Sequence, residues 1–420
     1  MRKKAIFYGW WIVLATFLIH FWGAGTFFYS LTAFFNPLVQ EFKWSYAAVS
    51  IASSFRSLES GVAAPVIGFL TDRFGPRRLL LAGAVWAAIG YILLSRINSL
   101  WGFYVTFFFL SMGMSLLFPL PGFTAVANWF SRRRGTALGI LVTAMGFSGV
   151  LIPLVNWLIA QQGWRTTFVI TGVATFIISM PLSLLVRHRP EQYGYLPDGA
   201  ERPGEGIETE ASRRLPQLNG ESSGLGVRQA MKTRTFWVFT LLVTISSAAT
   251  HAIVVHVMPH LISVQIPQGA ASSIAASLVV SSIAGRIGFG WLGDRADKRY
   301  LLALALLMQS LGLIFFAYTR SVTYAIVFLA LFGPGFGGVT TLKLTIQGDY
   351  FGRKAFGSIM GAVQGIHMAG TIISPIIVGW VYDVRGSYQL AWFALAILVF
   401  LSTPLVTMLK PPNKQIPSSI

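Results

Sequence analysis

The chain has no cysteine in its 420 residues, which excludes disulfides and thiolate metal sites while leaving the compartment open. It is also poor in charge. Only 11% of its residues are charged and 54% are hydrophobic, too little charge to cover the surface of a soluble domain this large. Acidic residues are scarcest, 14 against 32 lysines and arginines, for a net charge of +18. No basic stripe with interleaved aromatics can be drawn on a soluble face, so this charge does not point to nucleic acid. No HExxH motif and no His/Asp cluster at ligand spacing is present, and no serine has an evident base. An enzyme, a metal site and a cofactor are therefore not expected.

What the chain has is apolar length. Blocks of roughly 20 residues or more recur, enough to cross about 30 Å of hydrocarbon as helices. The reading is an all-α membrane protein with twelve transmembrane helices. Helices 1 to 6 are expected at 8–35, 45–69, 77–96, 101–128, 134–160 and 165–187. Helices 7 to 12 follow at 235–260, 269–292, 299–318, 322–348, 354–381 and 387–409. Met1-Arg2-Lys3-Lys4 could open a signal peptide, but the apolar run behind it is too long and ends in no small-residue cleavage site. Basic clusters fall in every second gap, among them Arg73, Arg77, Arg78, Arg132, Arg133, Arg134, Arg295, Lys298, Arg299, Arg353 and Lys354. By the positive-inside rule both termini are cytoplasmic, in a multi-pass protein of the cell (inner) membrane.

The sequence also repeats. Gly68-Phe69-Leu70-Thr71-Asp72-Arg73-Phe74-Gly75-Pro76-Arg77-Arg78 returns as Gly290-Trp291-Leu292-Gly293-Asp294-Arg295-Ala296-Asp297-Lys298-Arg299. Gly68 and Gly290 stand 222 positions apart, and so do Gly135 and Gly357 in a second matched pair. One shared offset argues for two tandem six-helix halves, 1–187 and 235–420, joined by a flexible polar linker at 188–234. Within the linker, Gly226 to Lys232 has the composition of a short surface helix. Glycines and prolines punctuate helices 4, 5, 10 and 11, as in Pro119-Leu120-Pro121-Gly122 and Gly333-Pro334-Gly335, and mark either close packing or helices that bend.

The repeat separates scaffold from chemistry. The loop motifs occur twice, whereas the ionisable residues inside the helices occur once. Shifting by the offset puts Ala64 opposite Arg286, Met145 opposite His367 and Pro121 opposite Lys343. It puts Ser281 opposite Glu59 and Leu278 opposite Arg56. A charge inside the membrane is costly and faces the bundle interior or a partner, so these residues are candidates for substrate contact. Arg286 cannot release its proton and can hold a carboxylate bidentately; the alternative is a structural bond to helix-end carbonyls or to Asp294. Glu59 reads as a proton carrier, or as half of an ion pair with Arg56 one turn away. His367, mid-helix, can bond an anion or titrate. Lys343 reads as a substrate contact or as a side chain snorkelling to the surface. Tyr29 stands near an apparent midplane break, and His20 reads as a packed ring. Gly68, Asp72, Arg73, Gly75, Arg77, Asp294 and Arg295 form loops expected to latch the halves, with aspartate at a helix end and arginine reaching across.

The two repeated loops resemble the signature loop of the major facilitator superfamily, fully in the first copy (Gly68, Asp72, Arg73, Gly75, Arg77, Arg78). The second copy has Asp297 in place of Gly75. The run Asn128-Trp129-Phe130-Ser131-Arg132-Arg133-Arg134-Gly135-Thr136-Ala137-Leu138-Gly139 resembles the helix 5 signature of monocarboxylate transporters, a narrower resemblance that points to them and their oxalate/formate antiporter relatives. Tyr8-Gly9-Trp10-Trp11-Ile12-Val13 is similar to their helix 1 opening, without its acidic residue. The resemblance implies a secondary carrier of small organic anions, with Arg286 at the family's substrate-binding position; His367, Tyr29 and Lys343 are expected from their own placement to assist. It departs from the family at Ser282, where proton-coupled members carry aspartate, and in the missing helix 1 lysine. Proton-coupled monocarboxylate symport through Glu59 is the expectation. Exchange against a counter-anion is the alternative, and a non-transporting sensor a more distant one. A monomer can satisfy the bundle.

Overall fold

The computed structural model describes residues 7–44, 46–199 and 224–411, most of them helical. Hydrocarbon offers no water to an open amide, so each spanning segment satisfies its own backbone. Ten helical segments among the described residues are long and apolar enough to cross a membrane. One of them, Arg134–Leu185, runs 52 residues and breaks at Gly163, whose φ of +75° favours glycine, so it supplies two spans. Tyr46–Phe74, whose polar residues dilute its hydropathy, is the further helix of spanning length that brings the twelve together.

In chain order the helices are α1 (Tyr8–Gly23), α2 (Phe35–Phe42), α3 (Tyr46–Phe74), α4 (Pro76–Leu94), α5 (Leu100–Leu117), α6 (Leu120–Trp129), α7 (Arg134–Phe147) and α8 (Leu151–Leu185). Then come α9 (Val227–Met231), α10 (Arg234–Ser263), α11 (Gln268–Gly293), α12 (Lys298–Ala317), α13 (Val322–Phe351), α14 (Phe356–Arg385) and α15 (Gln389–Ser402). One hydrophobic cluster centres on residues such as Ile12, Phe107, Trp129 and Phe168, another on Phe236, Phe316, Phe328 and Trp392. Leu344, Phe356 and Met360 of the second half join the first cluster, near the end of the bundle that carries the repeated basic loops. That end is called the basic end below.

Glycine and proline act in two ways. The fourth span breaks between α5 and α6 at Phe118 and Pro119, and a 3₁₀ turn, Ser148–Val150, separates α7 from α8. The tenth span, by contrast, runs through Pro334 without interruption. Its glycines serve close packing instead: a Cβ at Gly335 would meet the Ala305 carbonyl at 2.7 Å, and one at Gly337 the Arg286 amide at 2.8 Å. The first span leaves α-geometry near its middle, where Ala24–Tyr29 winds as a π-helix and Ser30–Phe34 as a 3₁₀-helix. Such wide turns recur at functional sites, and this one carries Tyr29.

The two copies of the signature loop start the next helix differently. In the first, Gly75 takes φ +83° and Pro76 opens α4 at a position that needs no N–H. In the second, Asp297 is an ordinary N-cap whose carboxylate accepts the Arg299 amide at 2.9 Å and the Arg299 guanidinium at 2.6 Å. The Gly75/Asp297 difference is thus a change of capping chemistry.

Hydrogen bonds that cross between the halves gather at the basic end. Asp72 accepts the amides of Gly357 and Ser358 at the start of α14, at 3.0 and 2.7 Å. Asp294 accepts those of Gly135 and Thr136 at the start of α7, at 2.7 and 2.8 Å, and the Thr136 hydroxyl at 2.6 Å. Each carboxylate faces a helix N-terminus, where unpaired amides and the helix dipole favour negative charge. Gly68 lies against the Gly357 carbonyl and Gly290 against that of Gly135, approaches a side chain would block.

Three expectations are corrected here. Asp72 and Arg73 belong to the last turn of α3 rather than to a loop, and Asp294 is the C-cap of α11. The arginines do not reach across: Arg73 lies over Phe69 and Phe74, and Arg295 stacks 3.9 Å from Trp291 and donates to its carbonyl. The aspartates make the crossing, because a short carboxylate at a helix end already lies beside the partner's amides. Third, the linker is ordered at both ends, with Pro190–Tyr193 in a 3₁₀ turn and Val227–Met231 in the short helix expected there. Asp198 accepts the amides of Ser131, Arg132 and Arg133, and Arg353 bridges Glu191 and the Asn128 carbonyl.

An ion pair whose arginine is buried and whose carboxylate reaches solvent completes the seam. Arg134, 5% exposed, bonds Asp349 across the halves at 2.7 Å, and Lys298 holds the other carboxylate oxygen at 2.7 Å. Asp349→Ala leaves the buried guanidinium with only the Phe130 carbonyl and is expected to cost about 1–3 kcal/mol of folded-state stability. Thermal unfolding of the purified variant measures it, and an unchanged transition temperature would contradict the assignment.

Candidate substrate site

The side chains that sequence reading placed inside the membrane lie on three helices of the second half. Arg286 stands seven residues from the basic end of α11, Lys343 eight from that of α13 and His367 eleven from that of α14. At 1.5 Å per residue these offsets are roughly 10–17 Å, a spread of about one helical turn inside the bundle. Lys343 and His367 share a cavity with Phe239, Val243, Gln347, Met360 and Gln364. Its volume, about 20 Å³, holds about one water. Lys343 is within electrostatic range of Arg286, and His367 of both Lys343 and His251. Lys343 lines this cavity and forms no ion pair among the described residues.

Arg286 is 5% exposed. One guanidinium nitrogen donates to the Val142 carbonyl of α7 at 2.9 Å, and the group lies 5.5 Å from the centre of the Phe336 ring. It therefore sits on the seam between the halves, two turns above the Asp294 clamp on the same helix. Ser282, one turn further up, donates to Val279 of its own helix. The reading of Arg286 as a partner of Asp294 does not hold, since Asp294 is taken by α7.

Glu59 stands elsewhere. It is 6% exposed in the first half, and one carboxylate oxygen accepts the hydroxyls of Ser111 and Ser115 on α5, at 2.8 and 3.2 Å. Its other oxygen is buried without a hydrogen bond among the described residues. The side chains of Arg56 and Tyr29 lie outside the described residues. His20 is fully buried, edge-on to Phe118 and Phe123 at 5.3 and 5.2 Å, as a packed ring. Among the described residues no group of three potential ligands could hold a metal.

Sequence reading missed Ser111 and Ser115, which lie one turn apart on α5 but 52 and 56 positions from Glu59. It also missed Asp349 and Asp198, which pair across 215 and 65–67 positions. No local pattern marks such partners.

Two six-helix halves, a basic cluster beside their seam and carboxylate clamps at one end define a membrane carrier built on duplicated bundles. The profile of the Major Facilitator Superfamily matches residues 13–341 and 240–419, and the chain belongs to that family. It is similar to monocarboxylate transporter 13 of Bos taurus, 26% identical over 412 residues covering 96% of this chain and 89% of that protein. Monocarboxylate transporter 2 of Rattus norvegicus is 23% identical over 406 residues, 94% of this chain and 82% of that one. Among solved structures, the proton:xylose symporter XylE superposes with a TM-score of 0.75 at 13% identity, covering 96% of each chain. The human organic anion transporter MFSD10 gives 0.68 at 13% identity, over 95% of this chain and 99% of that one. These likenesses establish the fold.

Proposed function

We propose that the chain carries small organic anions, most specifically monocarboxylates, by alternating access coupled to protons. The observation that carries this reading is the grouping of Lys343 and His367 on a common cavity with Arg286 within electrostatic range, all within about one turn in depth. A carboxylate placed there meets a guanidinium fork and an ammonium in a water-poor site, where such bonds are strong. Monocarboxylate transporters among the relatives agree with that chemistry. Tyr29, on the π-turn of the first span, is assigned to the same site.

The halves 1–187 and 235–420 rock about this site, with 188–234 as the connection. The basic end, which the positive-inside rule makes cytoplasmic along with both termini, is latched, so this conformation admits substrate from the other side. The small cavity is the collapsed site, which an arriving anion must widen. A monomer suffices. The catalytic repertoire of an enzyme is not called upon.

Glu59 is the proton carrier in this scheme, with Ser111 and Ser115 holding its charged form and Arg56 on the adjacent turn. Glu59→Gln is expected to abolish stimulation of uptake by an inward proton gradient in proteoliposomes while leaving counter-anion exchange. If the variant responded to the gradient as wild type does, Glu59 would be a structural group. Exchange without a proton is the second reading, and Ser282 favours it: no acid stands one turn before Arg286 on its helix, and Arg286 with Lys343 could neutralise a dianion. Uptake of labelled monocarboxylate into vesicles lacking internal anion separates the two, since an exchanger shows none.

A further inference from the structure

A second basic cluster lies outside the proposed substrate site, on the face of the seam between α7 and α11 at the basic end. Trp10, Arg132, Arg133, Thr136, Trp291, Asp294 and Arg295 line an open groove of about 400 Å³. The first half supplies Trp10, Arg132, Arg133 and Thr136, and the second supplies the rest. Arg132, Arg133 and Arg295 are all exposed. Among the described residues none of the three guanidiniums has an ion pair. The one carboxylate in the groove, Asp294, already accepts three bonds from Gly135 and Thr136 and is not available to them. Asp198 fixes the backbone of Ser131, Arg132 and Arg133, which holds the arginine-bearing turn beside the groove.

The level of the groove matters. Trp10 is near the start of α1 and Trp291 near the end of α11, where a spanning helix meets the headgroups and tryptophan is favoured. From there into the membrane the same two helices expose Trp11 and Leu14, and Ile287. The groove is thus cationic and aromatic at its mouth and continues into apolar surface. A free anion would use only the first part, whereas a phospholipid with a net negative headgroup would use both.

The matching seam between α3 and α14 keeps cations, with Arg73 opposite Arg295, but lacks the tryptophans and the adjacent arginine pair. The internal offset puts Lys354 opposite Arg132, Ala355 opposite Arg133, Phe69 opposite Trp291 and Lys232 opposite Trp10. The two tryptophans and the Arg132–Arg133 pair therefore belong to one seam only and are not required by the repeated fold.

We propose that this groove binds the headgroup of an acidic phospholipid, its phosphate between Arg132, Arg133 and Arg295 and its acyl chains along α1 and α11. The groove spans both halves, and so the lipid stabilises the conformation in which the Asp294 clamp is closed. Native mass spectrometry of the full chain in detergent tests this, with phosphatidylglycerol and phosphatidylcholine added in turn. Wild type is expected to retain one phosphatidylglycerol, and Arg132→Gln/Arg133→Gln/Arg295→Gln to bind it at least about tenfold more weakly. Lys354→Gln, at the matching seam, removes one charge from the same end and should leave binding as in wild type. Millimolar inorganic phosphate should not displace the lipid. Equal retention of phosphatidylcholine, an unchanged triple variant or displacement by phosphate would each overturn the proposal. Single Arg133→Gln, expected to weaken binding in part, supplies the test if the triple variant fails to fold.

Discussion

Replacing Arg286 by alanine is expected to lower the specific uptake of a small carboxylate by at least about a hundredfold, equivalent to about 2.7 kcal/mol. The side chain is buried, stands on the seam and carries a charge that cannot be neutralised by losing a proton. Removing it leaves a bound carboxylate with Lys343 and His367 but without a bidentate partner, and truncating one member of a buried charged pair costs 2–5 kcal/mol. The variant also loses the bond to the Val142 carbonyl, so a purely structural effect must be separated. Arg286→Gln does this, because an amide can still donate to that carbonyl but brings no charge. On the present account Arg286→Gln transports nearly as poorly as Arg286→Ala. If glutamine restored uptake, the arginine would be a strut between the halves rather than a substrate ligand.

The second large effect concerns conformation. Asp72→Ala combined with Asp294→Ala removes both clamps, five hydrogen bonds in all. Hydrogen bonds to a charged acceptor contribute about 1.5–3 kcal/mol each when intact, less where water replaces them. Both carboxylates are half-buried, so a combined shift on the order of 2–4 kcal/mol is expected, about 30- to 1000-fold in the balance between basic-end-closed and basic-end-open forms. The chain has no native cysteine, so an introduced pair across the α3–α14 seam reports that balance directly through crosslinking yield. The yield should fall in the double variant while ligand affinity in detergent is retained. An unchanged yield would show that backbone packing at Gly68, Gly135, Gly290 and Gly357 holds the end closed without the aspartates.

Much of the architecture was legible because lipid imposes a simple rule: long apolar blocks must be helices, and the gaps between them sort by charge. The repeat was legible too, through Gly68 and Gly290 and through Gly135 and Gly357. What the offset could not show is that the two repeated motifs touch one another. Asp72 of one motif holds the helix opened by Gly357, and Asp294 holds the one opened by Gly135, a crossed relation visible only in three dimensions. Hence the roles given to Arg73 and Arg295 were wrong while the residues beside them mattered. Glycine patterns were ambiguous for a related reason. Pro119 stands at a helix break and Pro334 inside an unbroken helix whose Gly335 and Gly337 pack closely against neighbours. For the candidate site, the ionisable residues stood out by cost alone; Lys343 and His367 line one cavity, and Arg286 is within electrostatic range of Lys343. The hydroxyls of Ser111 and Ser115 carry no such mark, since serine is common in membrane helices and satisfies itself on its own backbone.

The central claim is that the cluster recognises a negative charge. Calorimetric titration of the purified chain with lactate and with lactamide, which is close to lactate in shape but uncharged, tests it without relying on any gradient. The account predicts measurable binding of lactate, and binding of lactamide at least about a hundredfold weaker, since a site built for a carboxylate leaves its cations unpaired against an amide. Equal affinity for the two compounds would contradict it, and would mean that Arg286, Lys343 and His367 serve the structure of the bundle rather than its cargo.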